Sequence, residues 1–144
     1  MSYEDARARL ATVLATVAIT SPIVQSIQRV YTEPPQTIQD APCVILFGSD
    51  MDEDWTAGGA AVEQQQAELI QLFLKDEDAA RAFELAMAYR AAILTTLKAE
   101  SGLGGHAVIS ALHFNRPTGL EYPRGSGVVY AGLEFTVTFS VISP

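Results

Sequence analysis

Apolar residues recur at three- to four-residue spacing from the start of the chain, with Tyr3, Ala6, Leu10, Val13, Leu14 and Val17 on one stripe. Ser2 can cap the first turn with Asp5 three residues on, so the pattern predicts a helix from about Ser2 to Val17. Ser21-Pro22 breaks it, Ile27 to Tyr31 reads as a short strand, and Glu33-Pro34-Pro35 forces an extended turn. Asp40-Ala41-Pro42 marks a second turn, and the continuous apolar run Cys43 to Phe47 predicts a buried strand. Gly48 to Ala61, rich in Gly, Asp and small residues, reads as a long hairpin loop or tongue. Val62 to Lys75 has helix-forming Gln and Glu but apolar residues on both faces from Leu69 to Leu74, so a strand is predicted with a helix as the alternative.

From Asp76 a long helix is predicted, with acidic residues in its first turn and Gly102 after its end. Its expected core stripe is Phe83, Met87, Leu94 and Leu97, with Ala86 and Ile93 beside it. Ala107 to Phe114 reads as a strand, and a polar, glycine-containing excursion runs from Asn115 to Gly127. The last strand is the clearest element: Val129, Ala131, Leu133, Phe135, Val137, Phe139 and Val141 alternate with more polar positions. The expected fold class is α+β, a mainly antiparallel sheet packed by an N-terminal helix and one long central helix, as a single domain over 1–144.

The bulk numbers agree with one folded domain: 144 residues, 49% of them hydrophobic, suffice for one core. The apolar run Leu10 to Ile19 is interrupted by Thr12 and Thr16 and is too short to span a bilayer. Glu4 and Asp5 stand where a secretory signal would be positive, so that reading is rejected, and no membrane partner is expected. Cys43 is the only cysteine, which excludes an intrachain disulfide and a thiolate zinc site; it reads as a buried structural thiol in a reducing compartment. The net charge of -8, with only nine Lys and Arg, disfavours gripping of nucleic acid. Such a charge suits a channel through which DNA slides without sticking.

Chemistry is hard to find. His106 and His113 are the only histidines, and on one strand their separation of seven would point them to opposite faces. Asp50-Met51-Asp52-Glu53-Asp54 opens like a calcium loop, but Trp55 stands where that loop needs glycine and Ala61 where it needs the bidentate glutamate. Ser101-Gly102-Leu103-Gly104-Gly105 resembles a phosphate cradle in composition alone, since no Lys-Ser or Lys-Thr follows; a helix stop explains it. No catalytic residue, metal ligand or cofactor is therefore assigned, and assembly is expected rather than catalysis. The candidate interface residues lie in the two long loops: Asp52, Asp54 and Trp55 in the first, Arg116, Leu120, Tyr122 and Arg124 in the second. Trp55 and Tyr122 each carry two readings, a binding hot spot or a loop residue folded back into the chain.

The turn from Tyr31 to Pro35 leading into Asp40-Ala41-Pro42-Cys43-Val44-Ile45-Leu46, within this order of elements, resembles the tail-terminator and tail-completion proteins of tailed bacteriophages. In that group an N-terminal helix leads to a Pro-containing segment and a core strand. A loop-strand-helix unit and two C-terminal strands follow, here Gln66 to Leu97 and Val108 to Val141. The resemblance covers most of the chain and carries over no individual functional residue. It implies a ring, usually hexameric, that caps the tail tube, ends its polymerisation and meets a head-side connector protein. DNA passes through the lumen without specific binding. The implied location is the virion neck, after assembly in the host cytoplasm. The competing expectations are another neck component, such as a head-completion or connector protein, and a bacterial small-ligand-binding α+β domain.

Overall fold

The computed structural model describes residues 3–48, 51–55, 62–74, 79–105 and 107–143, with side chains left aside at 51–55, 62–65, 79 and 141–143. Helix α1 (Tyr3–Leu14) buries Ala6, Leu10, Ala11, Val13 and Leu14, the stripe its spacing predicts. It stops before Val17 because its last turn tightens: the N–H groups of Thr16 and Val17 bond the carbonyls three residues back, Val13 and Leu14. The Thr16 hydroxyl also donates to the Val13 carbonyl, at 2.7 Å. Two short strands, β1 (Ala18–Ile19) and β2 (Gln25–Ser26), form a hairpin that the periodicity does not announce, since two residues carry no alternation.

The main sheet has seven strands. β3 (Arg29–Tyr31) pairs in parallel with β4 (Cys43–Leu46), and β4 pairs antiparallel with β6 (Val62–Phe73). β6 pairs antiparallel along its whole length with β9 (Val129–Ser143), from Val62 opposite Ser143 to Phe73 opposite Gly132. β5 (Met51–Trp55) lies against the other side of β6 beyond β4, while β7 (Val108–Phe114) and β8 (Thr118–Glu121) share the far side of β9. The α+β fold with its mostly antiparallel sheet is thus as the sequence predicts. Within 62–75, Val62–Phe73 resolves in favour of the strand, and Lys75 lies outside the described residues. The segment's helix-forming composition yields to pairing on both sides, with Ile70 and Leu72 on one face and Phe73 on the other.

Two stretches expected as loops contain strands. Within 48–61, Met51–Trp55 is β5, and residues 56–61 lie outside the described residues. Within 115–127, Thr118–Glu121 is β8, paired with Val129 to Gly132. Both are recruited by a long neighbouring strand with free backbone groups, which composition does not reveal.

Helix α2 (Ala79–Ala99) covers one face of the sheet with Leu85, Ala86, Tyr89, Ile93 and Leu97 buried. The expected stripe holds at Leu97, with Ala86 and Ile93 beside it, and is corrected at Phe83, 57% exposed, and Met87, 36%, whose places in the core are taken by Leu85 and Tyr89. Two apolar stripes compete on α2, and Tyr89 decides between them by placing its ring in the core and its hydroxyl 2.8 Å from Gln25 Oε1. A Leu103–Gly105 3-10 turn ends the helical segment, with positive φ at Gly104 (65°) and Gly105 (86°).

Both faces of the sheet are packed. α1, α2, Val44, Leu46, Ile70, Leu72 and the alternate β9 residues Leu133, Phe135, Val137 and Phe139 form the main core. On the other face Cys43, Ile45, Phe73, Leu120 and Tyr122 form a second, smaller core under the 32–42 connection and the β8–β9 hairpin. Gly132 lets these layers meet: a Cβ there would land on the Leu72 carbonyl and 2.5 Å from Leu120 Cδ1. Gly132→Ala is therefore expected to cost about 2 kcal/mol, at the level of an overpacked core, read as a lower urea midpoint with an unchanged slope.

Candidate interaction surface

The candidate residues separate into three groups. Leu120 and Tyr122 are each 7% exposed and belong to the second core. The Tyr122 ring packs edge-on to Phe73, with centroids 5.5 Å apart, and its hydroxyl donates to the Pro35 carbonyl. These two side chains are thus used inside the chain, where they fasten the β8–β9 hairpin to the 32–42 connection. Arg124 lies exposed in that hairpin's turn, which is organised by Glu121 accepting from the Gly125 and Gly127 N–H groups at 2.6 and 3.1 Å. Arg116 is exposed in the link between β7 and β8, against the opposite side of β9 from β6 and β5.

Asp52, Asp54 and Trp55 lie on β5, where register fixes their positions. Asp52 is opposite Gln65 and Asp54 opposite Glu63, while Met51, Glu53 and Trp55 are opposite Gln66, Gln64 and Val62. Directly opposed residues share a face, so Asp52, Asp54 and Glu63 stand on one side of this arm and Met51, Trp55 and Val62 on the other. A like-charge pair such as Asp54 and Glu63 destabilises an isolated ladder. His113 is exposed on β7, and His106 lies outside the described residues.

The root of the arm holds a polar knot that the sequence does not flag. Glu68 and Gln66 are fully buried on the helix side of β6. Arg7 of α1 donates from Nε to Glu68 and from its Nη2 to the Leu46 carbonyl at 2.8 Å, and the Tyr3 hydroxyl donates to Glu68 at 3.2 Å. Tyr3 also stacks on Phe139, centroids 5.9 Å apart, in the row opposite Gln66. Among the described residues, both ends of the Gln66 amide and Glu68 Oε2 find no hydrogen-bond partner. The sequence signal was Gln66 and Glu68 in phase with Ile70 and Leu72, which places polar side chains in a core row.

The described residues contain no group of three or more His, Cys, Asp or Glu able to hold a metal, and no helix long and apolar enough to cross a membrane. An open depression of about 570 Å³ is lined by Val24, Gln25, Ser26, Gln28, Asp40 and Pro42. Its amides are engaged locally: Gln28 donates to Ser26 at 3.1 Å, and Gln25 accepts from Tyr89. Cys43 is buried, and burial with Asp40 nearby pushes its thiol up to about 12. Burial likewise raises Tyr89 to about 12.

Three outcomes follow for stability. Arg7→Ala leaves Glu68 buried without its cation and is expected to cost about 3–5 kcal/mol, whereas Gln66→Met removes unpaired amide atoms and is expected to stabilise by about 1–2 kcal/mol; urea unfolding measures both. The folded chain holds the Cys43 and Tyr89 protons more tightly than the unfolded chain, so their stability contribution is complete below about pH 9 and declines as pH rises toward 12. Chemical unfolding across that range should show the fall, and native Cys43 should resist a thiol reagent at pH 8. No protein-family model matches the chain, and no curated protein matches it significantly.

Proposed function

We propose that this chain is a structural component of the neck of a tailed bacteriophage, a tail terminator that closes the tail tube as a ring and joins it to the head-side connector. The observation that carries the reading is the form of the sheet. Its central β6–β9 pair continues past the Gln66–Phe139 row, where Tyr3 of α1 packs, and carries β5 with it as a three-stranded arm. Among the described residues, β5 and β7 are each paired with one strand only, as are β3 and β8; the Ile109 N–H of β7 donates to the Ser101 carbonyl at 2.7 Å, and the stretch from Ala111 to Phe114 keeps unpaired backbone groups on that flank. A subunit with two distinct open flanks suits head-to-tail association, which closes into a ring when the rotation per copy closes. The reading is supported by the predicted helices and strands recurring in the expected sequence, with β1, β2, β5 and β8 added between them, and by the acidic net charge of -8, which suits a lumen that DNA crosses without adhering.

Light scattering with negative-stain imaging over a range of concentrations, with and without tail tubes, tests the proposal. A closed ring, formed alone or on tube ends, is expected; a monomer or dimer indifferent to tubes would contradict it.

A further inference from the structure

We propose that neighbouring copies join by pairing β5 of one with β7 of the next, antiparallel, so that the sheet runs on from copy to copy. This rests on the ring reading and names the surface that would build it.

Strand direction permits the pairing. β5 is antiparallel to β6, β6 to β9 and β9 to β7, so β5 and β7 run in opposite directions at opposite flanks of one sheet. A rotation about an axis near the strand direction keeps each strand's sense, and therefore brings β5 of one copy antiparallel to β7 of the next. Met51 and Ile109 lie on one row of the sheet, through Gln66 and Phe139, with β5 extending to one side of that row and most of β7 to the other. Copies then meet with strands inclined to the ring axis, as closed sheets require. The irregularity between Ile109 and Ala111 leaves Ala111 to Phe114 as the regular stretch for pairing, and β5 offers five residues.

Charge makes the two flanks complementary. The segment 42–74, which includes β4, β5 and β6, contains Asp50, Asp52, Glu53, Asp54, Glu63 and Glu68 and no Lys, Arg or His. The segment 101–120, which includes β7, contains His106, His113 and Arg116 and no Asp or Glu. In a chain of net charge -8 this is a marked local reversal. Two β5 flanks repel each other, whereas the segment that includes β7 brings Arg116 and no acid toward β5.

The faces also agree. Asp52 and Asp54 share a face with Gln65 and Glu63, opposite to the helix side, and His113, opposite Thr136, stands on that same face of β7. Arg90 of α2 lies over the Phe114 ring, 5.1 Å from its centroid, at the edge of β7.

Two experiments decide it, with native mass read alongside. Chains carrying Asp52→Cys and His113→Cys are mixed and treated with a short bismaleimide; crosslinked pairs are expected in the mixture and not in either chain alone, with buried Cys43 silent in the wild type. Crosslinking within the Asp52→Cys chain alone, or a ring that stays uncrosslinked in the mixture, overturns the pairing while leaving the ring reading intact. Next, Asp52→Lys/Asp54→Lys and His113→Glu/Arg116→Glu are each expected to lose ring mass alone and to regain it on mixing, because alternation restores opposite charges at every junction. Recovery also shows that both variants fold. Rings from either variant alone, or no recovery from two variants with wild-type circular dichroism, overturn the pairing; a wild-type chain that never forms a ring overturns both readings.

Discussion

The β6–β9 ladder is the constraint from which the rest of the molecule follows. Its pairing from Val62–Ser143 to Phe73–Gly132 fixes which side chains face the helices and which face the second core. A slip of one residue would exchange those faces and expose Leu133, Phe135, Val137 and Phe139 together. The fully buried residues at both ends of the row pattern, Phe73 beside the small core and Phe139 beneath α1, hold that register in place. The ladder runs on beyond the β4 pairing, and β5 pairs with that part of β6 on the side that β4 leaves.

This arm is tied to the body by an ionic knot. Arg7 and Tyr3 bring α1 onto Glu68 where the arm leaves the core, so the helix and the arm's root are one rigid unit. A buried pair of this kind contributes little against an apolar replacement but punishes loss of either partner. Open strands are otherwise a hazard, since unpaired backbone groups invite indiscriminate association. β5 carries Asp52, Glu53 and Asp54, and β7 carries no acid; in the proposed assembly this disfavours like edges and favours the unlike pair. In that proposal, specificity comes from which edges are allowed to meet.

Much of this was legible in the sequence. α1 and the alternating half of β9 announce themselves through periodicity, and the continuous run Cys43 to Leu46 is a strand buried on both faces, which is why it does not alternate. The face of α2 was not legible, because its two apolar stripes differ in what surrounds them rather than in composition. β5 and β8 were missed for a related reason: their Asp, Glu, Gly and Thr residues have weak strand preference and acquire it from a long neighbour. Of the candidate interface residues, Leu120 and Tyr122 sit in a core that only the fold assembles, while Asp52, Asp54 and Arg116 stand on opposite flanks of one sheet. Their sequence separation gave no sign of that relation.

Hydrogen exchange compared between dilute and assembled protein tests the central claim most directly, that the open edges of this sheet are where copies meet. The amides of β6 and β9 should exchange slowly in both states, and those of β5 and β7 should gain protection only on assembly. Protection gained instead along β3 or the β8–β9 hairpin, with β5 and β7 unchanged, would contradict it.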